Sequence, residues 1–204
     1  MTELPSKLLV ATGNAGKVRE LAKLLPTSPV ELFGFRDALL MNEVAETGST
    51  FRENAILKAT GYAQQSGLWS LADDSGLEVD ALGGRPGVLS ARYAGAETPY
   101  DRKIRSLLDE LSEAGDTDRS ARFVCSMAIS DPHGSITFET TGVCQGKLAN
   151  TPRGTNGFGY DPIFVPDGFE QTFGELDDEI KQQISHRARA AREIVRYLLG
   201  FFDV

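Results

Sequence analysis

Residues 7–25, KLLVATGNAGKVRELAKLL, decide the fold, because an apolar run passes through a glycine-containing turn into a helical pattern. The run Lys7 to Ala11 predicts a short buried strand. After the turn, apolar residues recur with the helical spacing i, i+3, i+4 and i+7, at Val18, Leu21, Ala22 and Leu25. Strand, loop and helix in this order are typical of an α/β protein.

The turn itself, Thr12-Gly13-Asn14-Ala15-Gly16-Lys17, is a candidate phosphate site. A strand gives way to a helix there, so backbone N–H groups and the positive end of the helix dipole face whatever occupies the turn. It is not a Walker A loop, which would require glycine at Ala11 and a hydroxyl residue at Val18. The alternative is an ordinary glycine-containing turn with a solvated lysine.

Two more helices are predicted from end signals. Thr50, with Glu53 three residues later, forms a capping box, and the helix that follows carries Lys58. Thr98-Pro99 opens a helix whose apolar positions keep the same spacing, at Ile104, Leu107, Leu108 and Leu111. The last helix should begin near Ser185, with a face for packing made of Ala188, Ala191, Val195, Leu198 and Leu199.

Strands are predicted between these helices. Residues 69–72 form a short apolar run that should end at the turn-prone cluster Asp73-Asp74-Ser75-Gly76. Residues 123–129 and 135–143 flank Asp131-Pro132-His133-Gly134, which has the composition of a hairpin turn. A hairpin beside a strand-loop-helix unit predicts a mixed sheet, and the long loop 147–159 is expected to be functional.

Length, composition and charge narrow the class of protein. With 204 residues, a hydrophobic fraction of 41% and a charged fraction of 25%, the chain is expected to be a single globular domain over residues 1–204. A net charge of -8 argues against a nucleic-acid partner, and no apolar run approaches a membrane span. The two cysteines, Cys125 and Cys144, and an N-terminus without a leader pattern favour a soluble cytoplasmic protein.

Glu46, Asp73 and Asp74 are candidate metal ligands. Hard cations such as Mg²⁺ take oxygen ligands, commonly one or two carboxylates together with substrate phosphates. Leu71 and Ala72 precede the two aspartates, which places them at the end of a strand, where α/β sheets tend to bind ligands. The alternative for Asp73-Asp74 is a solvated turn.

A third group combines aromatic and polar residues: Phe158, Gly159, Tyr160, Asp161, Lys181, His186 and Arg187. Aromatic rings between glycines suit stacking on a flat base, and histidine and arginine can donate to a carbonyl oxygen. The alternatives are that Phe158 is core, that His186 caps its own helix and that Arg187 is a surface charge. Neither a Ser-His-Asp order, nor a zinc spacing, nor a dinucleotide fingerprint is present.

Taken together, six ordered blocks resemble the Ham1-like family of noncanonical purine nucleoside triphosphate pyrophosphatases. The resemblance covers nearly the whole chain, and six blocks at compatible spacing are far more specific than one. The family usually has another acid where this chain has Ile180. The blocks are 9–17, 46–48 with 53–55, 72–80, 86–87 with 90–93, 157–162 and 184–187.

The resemblance implies an elongated mixed sheet with flanking helices, in two lobes around an active cleft, and a homodimer. It implies that residues 12–17 and Lys58 hold a triphosphate, that Glu46, Asp73 and Asp74 bind Mg²⁺, and that Asp74 accepts a proton. Ser75 would touch the substrate. The base pocket would comprise the third group above: Phe158, Gly159, Tyr160, Asp161, Lys181, His186 and Arg187.

The implied reaction is hydrolysis of inosine, deoxyinosine and xanthosine triphosphates to the monophosphate and pyrophosphate. Water must attack the α-phosphorus, so cations near the phosphates lower the barrier. Donors aimed at a 6-keto oxygen would disfavour adenine. Two alternatives remain open: a Maf-like nucleotide pyrophosphatase, against which the block Ser185-His186-Arg187 argues, and a nucleotide sensor without turnover, against which the three carboxylates argue.

Overall fold

The computed structural model describes residues 6–25, 30–34, 42–115 and 117–200. The chain divides into two compact units. The first contains residues 1–74, 125–142 and 187–204, and the second contains residues 75–124 and 143–186. Within the described ranges, the structure contains no helix with the length and hydropathy that a membrane span requires.

One six-stranded sheet with the strand order β2-β1-β3-β4-β5-β6 is present in the described residues. Strand β1 is parallel to β2 and β3, whereas β5 is antiparallel to β6, so the predicted mixed sheet is confirmed. The strands are β1 (Lys7–Val10), β2 (Glu31–Gly34), β3 (Trp69–Val79), β4 (Ser120–Ser130), β5 (Ile136–Leu148) and β6 (Phe164–Pro166).

Five α-helices accompany the sheet in the same part of the chain. They are α1 (Ala15–Leu24), α2 (Phe51–Ser66), α3 (Tyr100–Glu113), α4 (Asp178–Ile184) and α5 (His186–Gly200). The α/β fold class is therefore confirmed. Strands β2 and β6 and helix α4, which are only three to seven residues long, were not predicted, because short elements leave little periodicity in the sequence.

Helix α1 follows the turn as predicted, and its buried face is narrow. Asn14 caps the helix by accepting hydrogen bonds from the N–H groups of Gly16 and Lys17. Leu21 and Leu25 are buried in the first unit, whereas Val18 is 41% exposed and Ala22 is also exposed. The helix predicted from the spacing of these four residues is therefore confirmed, and only part of the apolar stripe is buried.

Helix α2 confirms the capping box, since the Thr50 hydroxyl accepts from the Glu53 N–H and the Glu53 side chain accepts from the Thr50 N–H. Its small residues Ala55 and Ala59 are buried with Leu9 and Ala72 of the neighbouring strands. Close packing of small side chains lets α2 lie near the sheet, so polar residues on the same helix can reach the strand ends.

The second unit has its own core of phenylalanine and aliphatic side chains. Phe123, Phe164 and Phe173 pack with ring centroids 4.6 to 6.2 Å apart. Helix α3 adds Ile104, Leu107 and Leu111 to the same cluster, as its spacing predicted. This core supports the loop that carries the aromatic and polar candidates.

Two further expectations were wrong. Strand β3 does not end at Ala72; it continues to Val79, because Asp73 and Asp74 are compensated by cations and Leu77 and Val79 continue the buried pattern. On α5, Leu199 is 41% exposed, and the packing face instead includes Ala190 and Ile194.

Candidate active site

Lys17 joins the turn after β1 to Asp73 on β3. The parallel register pairs Val10 with Leu71, so the chain beyond β1 lies level with the aspartates of β3. The Lys17 ammonium lies 3.0 Å from Asp73 Oδ2. The alternative of a solvated lysine is therefore wrong, since Lys17 is ion-paired and largely buried.

Asp73 is 2% exposed and is surrounded by donors. Its Oδ2 accepts from Lys17, from Arg187 Nη2 at 3.3 Å and from the Cys125 thiol at 3.8 Å. Burial alone would raise the pKa of the Asp73 carboxyl, but Lys17 and Arg187 outweigh it and hold that pKa well below its ordinary value. Asp73 is thus a buried carboxylate compensated by two cations, and the alternative of a solvated turn is wrong.

Asp74 differs from its neighbour in its partners and in its pKa. Lys58 Nζ lies 3.4 Å from Oδ1, and the Asn54 side-chain N–H donates to Oδ2 at 3.1 Å. Burial raises the pKa of Asp74 above its ordinary value, although Lys58 and Lys17 oppose the shift. Two adjacent carboxyls with pKa values moved in opposite directions are suited to different tasks.

Lys58 joins Asp74 to Glu46. Its ammonium lies 2.6 Å from Glu46 Oε1 as well as 3.4 Å from Asp74 Oδ1. Burial lowers the pKa of Lys58, but Asp74, Asp73 and Glu46 together raise it above its ordinary value. Two carboxylates therefore converge on one cation, and helix α2 supplies that cation.

The chemistry of this arrangement fits a hard divalent cation, because carboxylate oxygens are the ligands that such a cation prefers. The Lys58 ammonium lies at the point where the carboxylates of Glu46 and Asp74 converge. In the described ranges, no group of three His, Cys, Asp or Glu side chains is already arranged as a metal cage. Magnesium needs no such cage, because one or two carboxylates and the substrate phosphates commonly suffice.

Arg187 is 2% exposed, so the alternative of a surface charge is wrong. Its guanidinium forms ion pairs with Glu20 of α1 and with Asp73. Burial lowers the pKa of Arg187, but Asp73 and Glu20 outweigh it and keep that pKa above its ordinary value. In the first unit, Arg187 therefore acts as a fixed cation between two carboxylates.

Cys125 and Cys144 are buried and do not form a disulfide. Burial and the Asp73 charge raise the pKa of Cys125 to about 12, so almost no thiolate exists at neutral pH.

We expect both cysteines to resist iodoacetamide in the native protein at pH 8 and to react after denaturation, with the number of alkylated cysteines measured by intact mass. Rapid alkylation of the native protein would contradict this burial.

A second cluster lies in the second unit, centred on Asp161. Its Oδ2 accepts from Lys181 Nζ at 2.5 Å and from the Phe158 N–H at 2.7 Å. Lys181 Nζ also lies 5.1 Å from the centroid of the Phe158 ring. Gly157 has φ of 73°, and a Cβ there would lie 2.0 Å from Asp161 Oδ2, so glycine is required for this loop.

The remaining candidates of the second unit are Tyr160, His186, Gly159 and Ser75. The Tyr160 hydroxyl donates to the Ser90 carbonyl at 3.0 Å, and the Tyr100 ring lies edge-on to Tyr160. His186 is buried and stacks on Phe123, with centroids 4.7 Å apart. Gly159 lies on the loop, and Ser75 is half-buried on β3.

The structure therefore gathers the candidates into two clusters, one in each unit. The first unit holds Lys17, Glu46, Lys58, Asp73, Asp74 and Arg187, and the second holds Phe158, Asp161, Lys181 and His186. Sequence reasoning missed Glu20 and Asn54. Helical spacing could have found Asn54, which precedes Lys58 by four residues, whereas Glu20 pairs with the distant Arg187 and leaves no local signal.

The fold and the first cluster define a class: an α/β protein with buried, mutually compensated carboxylates and cations beside its parallel strands. The chain belongs to the Ham1 family, whose model matches residues 8–197.

Relatives and solved structures agree with this membership. The chain is 48% identical over 188 residues to a dITP/XTP pyrophosphatase of Geobacillus kaustophilus, covering 92% of each chain. It is 47% identical over 183 residues to a dITP/XTP pyrophosphatase of a Synechococcus species, covering 90% of this chain and 85% of that protein. A HAM1 protein structure from Coxiella burnetii matches with a TM-score of 0.89 and 40% identity, covering 97% and 100%.

Proposed function

We propose that the protein hydrolyses noncanonical purine nucleoside triphosphates, namely dITP, ITP and XTP, to the monophosphate and pyrophosphate, and so clears them from the nucleotide pool. The relatives described above are named dITP/XTP pyrophosphatases. The observation that carries the proposal is the convergence of Glu46 and Asp74 on the Lys58 ammonium, with Lys17 on Asp73 beside it.

Phosphate binding is assigned to the turn 12–17 and to the two lysines. The Asn14 side chain accepts hydrogen bonds from the N–H groups of Gly16 and Lys17, and these bonds fix the shape of the turn. Lys17 and Lys58 already form ion pairs with carboxylates in the site. A triphosphate can therefore replace those carboxylates as the partner of each lysine, and no further cation has to be recruited from solvent. Their charges then offset the charge that develops on the departing pyrophosphate.

Glu46, Asp73 and Asp74 are the residues that would hold Mg²⁺, which when bound would neutralise phosphate charge and lower the pKa of nearby water. Asp74 is assigned as the proton acceptor for the attacking water. Its raised pKa suits that role better than the depressed pKa of Asp73. Asp73 instead retains a negative charge and keeps Lys17 and Arg187 in place.

Base recognition is assigned to Phe158, Gly159, Tyr160, Asp161, Lys181, His186 and Arg187, and Ser75 is assigned to contact the substrate. The support in the second unit is the ordered loop, in which Asp161 binds both Lys181 and the Phe158 N–H. A pocket of fixed donors favours a 6-keto purine, because an amino group there would leave donors without acceptors.

A panel of nucleoside triphosphates tests this function. With Mg²⁺, we expect ITP, dITP and XTP to release pyrophosphate far faster than ATP, and chelation by EDTA to stop the release. Preference for pyrimidine nucleotides would favour the Maf-like alternative. Binding without pyrophosphate release from any nucleotide would favour the sensor.

Lys17→Ala tests the phosphate site. We expect the KM for ITP to rise at least about tenfold, since the substitution removes one of the two cations assigned to the phosphates. Lys23→Ala, an exposed lysine on the same helix, is the matched control. An unchanged kcat/KM in Lys17→Ala would exclude the turn 12–17 from phosphate binding.

We also propose, from the same resemblance, that the protein is a cytoplasmic homodimer. A mass from light scattering near twice 22.1 kDa would support the dimer, and 22.1 kDa would refute it.

A further inference from the structure

Asn54 is a buried side chain in direct contact with the proposed proton acceptor. It is 0% exposed, lies on α2, and donates from Nδ2 to Asp74 Oδ2 at 3.1 Å. Lys58, four residues later on the same helix face, contacts the other oxygen of Asp74. Helix α2 therefore holds both oxygens of one carboxylate.

The orientation of the Asn54 amide is fixed by Gly48. The Gly48 N–H donates to Asn54 Oδ1 at 2.8 Å, and a backbone N–H can only donate. The carbonyl end of the amide must therefore face Gly48, and the NH₂ end must face Asp74. A Cβ at Gly48 would lie 2.6 Å from Glu53 Cβ and 2.8 Å from Asn54 Oδ1, so this approach requires glycine.

The two contacts on Asp74 differ in how firmly they can persist. Lys58 reaches Oδ1 at 3.4 Å through a flexible four-carbon stem, and it is assigned to a phosphate during the reaction. Asn54 is neutral, shorter and fully buried, so neither a phosphate nor water competes for it. In the proposed function Lys58 contacts the substrate, and Asn54 is the contact that can stay on Asp74.

We propose that Asn54 is a positioning residue for the hydrolytic reaction. It fixes the rotation of the Asp74 carboxylate through Oδ2, which leaves Oδ1 directed to the side of Lys58 and Glu46. It also ties residues 46–48, which carry Glu46, to Asp74. This inference rests on the proposed function, in which Asp74 acts on the attacking water.

Two variants separate positioning from support of the loop. Asn54→Asp keeps the size and the acceptor for Gly48 but loses the N–H that binds Asp74, whereas Asn54→Leu loses both bonds without adding charge. Circular dichroism should show that both variants fold. Both should lower kcat for ITP by about 10- to 100-fold, while KM changes by less than about threefold.

Three outcomes would overturn the proposal. Wild-type kcat in Asn54→Asp would reduce Asn54 to a support for Gly48. A fall in Asn54→Asp with wild-type kcat in Asn54→Leu would assign the effect to added charge. A rise in KM alone would make Asn54 part of substrate binding.

A measurement without turnover separates this proposal from the proposed function. In ¹H–¹⁵N spectra, we expect the side-chain NH₂ resonance of Asn54, assigned by its loss in Asn54→Leu, to shift in Asp74→Ala. Asn156, whose side chain donates to the Leu176 carbonyl at 3.0 Å in the second unit, should be unaffected. An unmoved Asn54 resonance refutes the contact, whereas wild-type protein that releases no pyrophosphate refutes the proposed function.

Discussion

Asp74→Asn should lower kcat for ITP by at least about 100-fold, a loss of about 2.7 kcal/mol in transition-state stabilisation. The substitution keeps the shape of the side chain but removes the negative charge that can accept a proton. It also creates a mismatch, because both partners of Asp74, Lys58 and the Asn54 NH₂, are donors. Because one end of the new asparagine amide is an NH₂ donor, that end must face either Lys58 or the Asn54 NH₂, which are donors themselves.

Binding and turnover should separate in this variant. Affinity for ITP, measured by calorimetry with Mg²⁺, is expected to change much less than kcat. Asp80→Asn is the matched control, because Asp80 lies directly after β3 and forms an exposed ion pair with Arg122. If Asp74→Asn keeps more than about a tenth of wild-type kcat, another group is the proton acceptor.

The sequence predicted those parts of the fold and site whose interactions are local. Residues 7–25 form strand, turn and helix as expected, and the capping box of Thr50 and Glu53 is present at the start of α2. The polar turn at 131–134 likewise separates β4 from β5. Each of these patterns depends on residues within one or two turns of each other, so periodicity and end signals reveal it.

The burial of the charged groups could not be predicted from local sequence patterns. Asp73 and Asp74 have the composition of a turn, yet both lie inside a strand, because cations from α1, α2 and α5 compensate them. Arg187 and Glu20 pair across 167 residues of sequence. Aspartate and arginine are seldom fully buried unless paired, and no pattern in a single sequence shows such a pair.

Arg187→Ala should destabilise the protein by about 3–5 kcal/mol, because it removes one partner from a buried charge network. Asp73 would keep Lys17 as a cation, but Asp73 and Glu20 would lose the guanidinium that lies between them. Chemical denaturation measures the loss. Arg189→Ala, an exposed arginine on the same helix, should change stability by less than about 0.5 kcal/mol. Equal stability of the two variants would contradict the network.

The same variant tests base selection. If Arg187 also helps His186 to recognise the 6-keto oxygen, as we hypothesise, Arg187→Ala should lower kcat/KM for ITP far more than for ATP. A donor pair of this kind supports discrimination of about 10⁴-fold, because the unmatched base leaves polar groups unsatisfied. Both values are measured well below the unfolding temperature of the variant. Lys181→Met serves as a comparison, since Lys181 binds Asp161 in the second unit. An unchanged ITP to ATP ratio in Arg187→Ala, with a reduced ratio in Lys181→Met, would assign base selection to the loop 157–161 and limit Arg187 to holding Asp73.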